Sequence, residues 1–249
     1  MNYSLEIISG TEQFVVAELA EKYPTIQPNQ VSPTEILIQS NLEIDDFRNL
    51  YSVLRISGNN LTRNLFRREW QIEHVPAGVN PALAYILCMA AGLKEEDQML
   101  DPFCGGGTIP ITASKYFNVR KAFACDLSGK AIEITKRNFQ SAEIVKEKYF
   151  TLRSNVSMLK FPKEYFDKII TNLPFGVRVG THENNEKIYK IFAKKCASLI
   201  KPDGKVVILT QEKQLIFNMM SQSGFKLVKK FDLRQGGLSP VLCIYKKIA

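Results

Sequence analysis

At 249 residues with 45% hydrophobic content, the chain is long enough to bury a full core as one large domain with a small appendage. Its composition argues against a membrane span, because no apolar run reaches roughly 18 residues. It also argues against a secreted disulfide scaffold or a thiolate zinc site: the first residues, Met-Asn-Tyr-Ser-Leu-Glu, do not read as a signal peptide, and five cysteines lack any Cys-x-x-Cys pair, so reduced thiols in the cytoplasm are expected.

The net charge of +8 is unevenly placed. Residues 1–62 hold three basic and eight acidic side chains, so the remainder carries +13. A larger part that meets a polyanion and a merely soluble basic surface are both compatible with that balance.

In chain order, residues 1–56 read as strand, helix, strand, helix. Leu5, Ile7 and Ile8 form a short β-like run. Thr11 or Ser9 is placed to cap a helix that carries Phe14, Val15, Leu19 and Tyr23. Pro24, Pro28 and Pro33 punctuate a loop before an expected strand over 35–39. Asp45 and Asp46 open a second helix, with Phe47, Leu50, Tyr51 and Leu54 on one face. Such a small α+β module has a thin core and is expected to pack on the rest. Residues 57–75 read as a linker in which Arg63, Arg67 and Arg68 surround Phe66 and Trp70. That mixture suits a phosphate backbone with bases to stack on, and equally a solvated strand with one face on the core.

From residue 76 the pattern becomes alternating helix and strand: helix 81–91, strand 98–101, helix 107–117, strand 121–126, helix 129–141, and strands 149–153 and 167–171. Helix 185–200 then stops at Lys201-Pro202-Asp203-Gly204, and strand 205–210, helix 212–222 and strands 225–232 and 241–246 close the chain. Repeated βα units build a parallel sheet covered on both faces, and the last two strands add an antiparallel hairpin. Ligands of such sheets sit beyond the carboxyl ends of the strands.

Four strand ends therefore matter. The first is Asp101-Pro102-Phe103-Cys104-Gly105-Gly106-Gly107-Thr108, where three glycines let the backbone turn sharply and approach a ligand. The spacing is neither Gly-x-Gly-x-x-Gly nor a phosphate loop, so an ordinary βα turn stays open on this stretch alone. The second ends at Asp126, 25 residues on, where a carboxylate can accept both ribose hydroxyls or cap the next helix. The third ends near Ser154-Asn155, where a polar side chain can meet an adenine amino group or simply face solvent. The fourth runs Thr171-Asn172-Leu173-Pro174-Phe175-Gly176. An exocyclic amine of a base is a poor nucleophile because its lone pair is delocalised into the ring. Two acceptors, the Asn172 side-chain oxygen and the Leu173 carbonyl, can take both of its hydrogens and turn the lone pair toward a methyl donor. Pro174 fixes the backbone, and Phe175 offers a flat face for the base.

These two motifs resemble the cofactor and catalytic motifs of class I S-adenosylmethionine-dependent methyltransferases, and more narrowly the THUMP-associated tRNA guanine-N2 methyltransferases. The likeness continues in Arg178-Val179-Gly180-Thr181-His182-Glu183-Asn184, in Leu209-Thr210, in Gly236-Gly237-Leu238 and in the lead-in from His74 to Pro81. The resemblance implies a Rossmann-like α/β fold with S-adenosyl-L-methionine as cofactor. By it, Asn80 and Asp101 to Thr108 (Phe103, Cys104 and the three glycines among them) hold the methionine end. Asp126 holds the ribose, Asn155 the adenine, and Asn172 to Phe175 the guanine amine, with Leu127 and Val156 as further cofactor contacts; no metal is implied.

Residues 1–56 match a ferredoxin-like piece of that family, but 57–75 are too short for the THUMP fold that grips tRNA. An accessory subunit is one expected source of that grip. The implied reaction is methylation of guanine N2 in RNA, tRNA first. Methylation of guanine N2 in rRNA or of adenine N6 in DNA, and a non-catalytic paralogue that binds RNA or a methyltransferase, stand as alternatives.

Overall fold

The computed structural model describes residues 1–76, 78–174 and 182–248, apart from the side chains of 182–184. Two sheets organise them. The first is antiparallel, in the order β2-β3-β1-β4-β5. Its strands are β1 (Asn2–Glu6), β2 (Pro28–Val31), β3 (Glu35–Gln39), β4 (Arg55–Gly58) and β5 (Leu61–Asn64), and helix α1 (Glu12–Lys22) covers it. Alternation puts Tyr3, Leu5, Ile36 and Ile38 on one face, where they meet Val15 and Leu19 of α1.

Three features differ from the sequence expectation. Pro28 opens the edge strand β2, where no partner needs its missing N–H. Strand β5 occupies the start of the expected linker, so the first sheet extends beyond residue 56. The expected second helix is a 3-10 segment, Ile44–Asn49, whose reciprocal Glu43–Asp46 caps hold one tight turn before the chain extends into β4.

The second sheet has the order β11-β12-β10-β9-β6-β7-β8. Strands β6 (Gln98–Asp101), β7 (Lys121–Asp126), β8 (Tyr149–Arg153), β9 (Phe166–Asn172) and β10 (Ile200–Thr210) are mutually parallel. Strand β12 (Val241–Lys247) runs antiparallel to β10 and pairs with β11 (Phe225–Asp232) as the expected terminal hairpin. Helices α2 (Pro81–Ala91), α3 (Thr108–Tyr116) and α4 (Gly129–Ser141) pack into the core on one face. Helices α5 (His182–Leu199) and α6 (Lys213–Gln222) pack into the core on the other. Burial on both sides is why strands such as Val206 to Leu209 are apolar without alternation. The expected stop at Pro202-Asp203-Gly204 is an irregularity inside β10, which resumes pairing with β9 at Lys205. Strand order reverses between β6 and β9, and that is where the two carboxyl ends part. Among the described residues no helix is long and apolar enough to cross a membrane.

The two sheets are joined tightly. Gly10 sits at φ +90°, and a Cβ there would lie 2.3 Å from the Asp232 carbonyl oxygen, so only glycine lets this turn meet the end of β11. Beside it the Arg234 N–H donates to the Ser9 carbonyl at 3.1 Å, and Phe14 meets Phe231 edge-on at 5.0 Å. The Tyr51 ring packs at a tilt against Tyr116, with centroids 4.0 Å apart, and against Tyr85, at 5.3 Å.

Part of the arginine–aromatic stretch serves this joint. Arg68 donates to the Leu65 carbonyl and, at 2.8 Å, to the Tyr51 carbonyl, and it lies over the Tyr51 and Tyr116 rings. Trp70 is buried with its N–H on the Tyr116 hydroxyl, and Arg63 pairs with Asp45. Of the group, Arg67 is exposed and Phe66 half-buried.

Under the joint lies the fully buried carboxylate of Glu18. It accepts from the backbone N–H groups of Tyr51 and Ser52, both at 2.8 Å, from the Ser52 hydroxyl, and from Lys22 at 2.6 Å. Removing it strands two backbone donors and one hydroxyl inside the protein. Glu18→Ala is expected to cost about 3–5 kcal/mol. Urea denaturation followed by circular dichroism checks this, and a loss below about 1 kcal/mol would show that water replaces the carboxylate.

Candidate active site

The site is built where β6 and β9 separate. Their pairing runs through Met99–Lys168 and Leu100–Ile169 and then stops. Beyond that point side chains bridge the gap: the Thr171 hydroxyl donates to Asp101 Oδ1 at 2.7 Å, and the Phe103 N–H donates to the same oxygen at 3.1 Å. Asp101 is 1% exposed and pairs with no cation among the described residues. Burial pushes its carboxyl up to about 7, the nearby Asp126 charge adds to the rise, and the Thr171 and Phe103 donors act against it.

The glycine turn follows directly. Gly105 and Gly107 adopt φ of +53° and +82°. A Cβ at Gly107 would lie 2.8 Å from the Thr135 methyl, so the left-handed backbone and the approach of α4 both demand glycine. Cys104 is buried 3.7 Å from the Thr135 hydroxyl, and burial raises its thiol well above the usual range. It acts as a small apolar residue there. Phe103 packs on Phe192. The buried Thr108 begins α3 and accepts from the Gln71 amide at 3.1 Å.

Asp126, at the end of β7, accepts from Gly105 N–H at 2.9 Å and Ser128 N–H at 2.8 Å, one on each oxygen. It thus braces the glycine turn and caps the approach to α4, while each oxygen keeps a second lone pair for a ligand. Leu127 beside it is 64% exposed. Asn155 follows β8 and caps the 3-10 turn Val156–Met158. Its side-chain oxygen accepts from both the N–H and the hydroxyl of Ser157, at 2.9 and 3.0 Å, so both lone pairs are used in capping a 3-10 turn. The Val156 side chain is in the core.

A cavity of about 710 Å³ opens over the glycine turn, lined by Gly106, Thr108, Asn80, His74, Arg67 and, from the β11–β12 hairpin, Gln235. Asn80 caps α2 through Ala82 N–H at 2.8 Å. Asp126, Asn155 and Asn172 are not among the described residues of the cavity wall; they mark the neighbouring strand ends.

At the end of β9 the Asn172 side-chain oxygen is buried and has no hydrogen-bond partner among the described residues. Leu173 is buried, and its N–H donates to the Leu209 carbonyl at 3.0 Å. The Pro174 carbonyl accepts from the Tyr189 hydroxyl at 2.8 Å, which anchors the tripeptide to α5. Phe175 and Arg178 lie outside the described residues, as does the His182 side chain. Two carboxamides that the sequence reading did not single out share the isolation of Asn172: Asn185 on α5, and Gln211 just past β10. Nothing in the pattern of residues marks them, because their isolation exists only once the helix packs on the strand ends.

The described part of the site thus consists of a buried carboxyl, a side-chain-free turn and an unpartnered acceptor at adjoining strand ends. The UPF0020 family, an RMKL-like methyltransferase domain, matches residues 68–240. The chain belongs to this family. A tRNA (guanine(6)-N2)-methyltransferase of Archaeoglobus fulgidus is 23% identical over 97% of this chain and 66% of its own length. The crystal structure of TrmN from Thermus thermophilus superposes with a TM-score of 0.85 at 17% identity, covering 99% of both chains. SMU.472, described as a methyltransferase and solved with SAH, gives 0.81 at 13% identity over 100% of this chain and 98% of its own. At such identities the structural neighbours show the fold. The chain spans between about half and two thirds of the length of the first curated relatives it matches.

In this UPF0020 domain the Asp101 carboxyl gives a pH test. Its folded value lies above the ordinary 3.8. Its contribution to stability is therefore fully present below about 3.8 and is lost as the pH rises through about 7. Asp101→Asn keeps an oxygen for both the Thr171 and Phe103 donors and does not ionise. Its thermal midpoint relative to wild type is expected to improve between pH 5 and pH 8. An identical difference at both values would show that Asp101 is already ionised at pH 5.

Proposed function

We propose that the protein transfers a methyl group from S-adenosyl-L-methionine to the exocyclic N2 of a guanosine in RNA, with tRNA as the substrate. The observation that carries this reading is the buried, unpartnered Asn172 oxygen next to the Leu173 carbonyl, to which no described residue donates. A buried acceptor without a donor is costly, and a ligand amine with two hydrogens satisfies both oxygens at once. The names of the curated tRNA guanine-N2 relatives point the same way.

The residues at the end of β6 fit the sulfonium cofactor on two counts. A buried carboxyl raised to about 7 with no described cation beside it favours a positively charged ligand. The glycine turn lets the backbone come close to that ligand. When bound, the cofactor supplies an electrophilic methyl group. In this reading Asp101 orients the methionine end, with Asn80 and Thr108 at the cavity wall beside it. Asp126 offers its free lone pairs to the ribose hydroxyls, and exposed Leu127 flanks the adenine. Asn172 and Leu173 take the two amine hydrogens and turn the nitrogen lone pair outward, while Pro174, held by Tyr189, fixes the distance between them. Phe175 is the proposed stacking face. No strong base is required, since orientation and fixed dipoles lower the barrier.

The first sheet together with the strand β5 leaves no room within 57–75 for a THUMP fold, and a separate subunit is our candidate for further grip on the tRNA. Five buried, unpaired cysteines suit a reducing compartment, and we assign the reaction to the cytoplasm.

Asn172→Ala is expected to leave S-adenosylmethionine affinity within about twofold of wild type and to reduce methyl transfer to tRNA at least 100-fold. Calorimetric titration and incorporation of labelled methyl read the two effects separately. Transfer at the wild-type rate would remove Asn172 from the clamp, and nucleoside mass spectrometry of the product decides between N2-methylguanosine and any other methylated base.

A further inference from the structure

Seven buried side-chain polar atoms have no hydrogen-bond partner among the described residues, and four of them belong to just three carboxamides: Asn172, Asn185 and Gln211. The three converge. Asn172 pairs in register with Leu209 of β10, and Gln211 follows two residues later at that strand's end. The Tyr189 hydroxyl donates to the Pro174 carbonyl at 2.8 Å and lies 2.7 Å from the Thr210 hydroxyl, so α5 is pinned to both strand ends. Asn185 precedes Tyr189 by four residues, one helical turn, and so projects from the same face of α5. It is 1% exposed, with both amide atoms unpartnered. Tyr189 and Thr210, in contrast, are satisfied: the Glu212 N–H donates to the Thr210 hydroxyl at 3.1 Å, and the chain continues through Tyr189 to Pro174. At these two strand ends, isolation among the described residues falls on the three amides.

Resting on the guanine-N2 reading, we propose that Asn185 and Gln211 read the guanine ring itself. When N2 lies between Asn172 and Leu173, the next positions along the base edge are N1–H, a donor, and O6, an acceptor. A single carboxamide offers an acceptor and a donor side by side. Asn185 matches this pair with Oδ1 on N1–H and Nδ2 on O6, and the Gln211 amide supplies a donor to the second lone pair of O6. Adenine presented by its N6 amine shows an N1 acceptor and no O6, and leaves the Asn185 oxygen and the Gln211 donor unmatched. The same buried amides that accept guanine therefore exclude adenine.

The test uses the full chain, the tRNA that the wild-type protein methylates, and a copy of that tRNA with 2-aminopurine at the methylated position. 2-Aminopurine keeps the amine but lacks O6 and the N1 hydrogen. Any intrinsic difference in amine reactivity cancels when the guanine to 2-aminopurine ratio of kcat/KM is compared between enzymes. For Asn185→Ala and Gln211→Ala the ratio is expected to fall about 10-fold to 100-fold, through loss on the guanine substrate. The thermal midpoint is expected to stay level or rise, because a buried unpartnered amide is removed. A ratio within twofold of wild type overturns the proposal, and a lowered midpoint alongside it marks the amides as structural. If the wild-type protein methylates no tRNA guanine, the function itself fails and this inference with it. Wild-type activity with an unchanged ratio in the variants defeats only the base-reading role.

Discussion

The hydrogen bond from Thr171 to Asp101 holds the site together. It spans the place where two parallel strands stop pairing, and it joins the residue before Asn172 to the residue that begins the glycine turn. A sheet that opens at its switch point makes room for a ligand but loses the ladder that would keep its two lips in register. A single buried carboxyl restores that register, since one of its oxygens serves both Thr171 and Phe103. The cost is visible in the same group: burial and the neighbouring Asp126 make ionisation unfavourable, which is a form of strain that a cationic ligand relieves.

The carboxamides extend that logic. Each buried polar atom without a partner costs about 1–3 kcal/mol, so four of them around one strand end are a considerable burden for a domain of ordinary stability. Elsewhere in the chain Arg68 Nε, Thr112 Oγ1 and the Tyr245 hydroxyl are also without a partner, whereas other buried groups are fully satisfied. Glu18 has a partner for both oxygens, and Asn138 spends its amide on the Glu73 and Gly106 backbone.

Much of this architecture was legible in the residues because the parallel strands are apolar on both faces and end in turns of special chemistry. Strands 98–101, 121–126 and 149–153 and helices 81–91 and 129–141 agree with the expectation to the residue, each bounded by glycine, asparagine, serine or an acid. The first sheet was harder to read. Strands β2 and β5 lie on its two edges and are largely exposed and polar, so no alternation announces them. Side-chain partners were the least legible. Arg68 and Trp70 have the composition of a nucleic-acid contact, yet three tyrosines from elements far apart in sequence recruit them to an internal joint. Asn155 carries the right chemistry for a base, and a hydroxyl two residues away claims its oxygen.

The joint also gives the charge asymmetry a physical reading. Three of the eight acids of the first part pair within it, Glu6 with Arg55, Asp45 with Arg48 and Glu18 with Lys22, and the one pair across the division among the described residues, Asp45 with Arg63, stays inside the first sheet and its 3-10 turn. What binds it to the second sheet is apolar and aromatic contact plus the turn at Gly10, whose fit against Asp232 excludes any larger residue. That turn abuts the β11–β12 hairpin at the loop end, where Gln235, Gly236 and Leu238 line the cavity over the glycine turn. The first sheet therefore meets the mouth of the site through this turn, while the described cavity wall begins at Phe66, beyond β5.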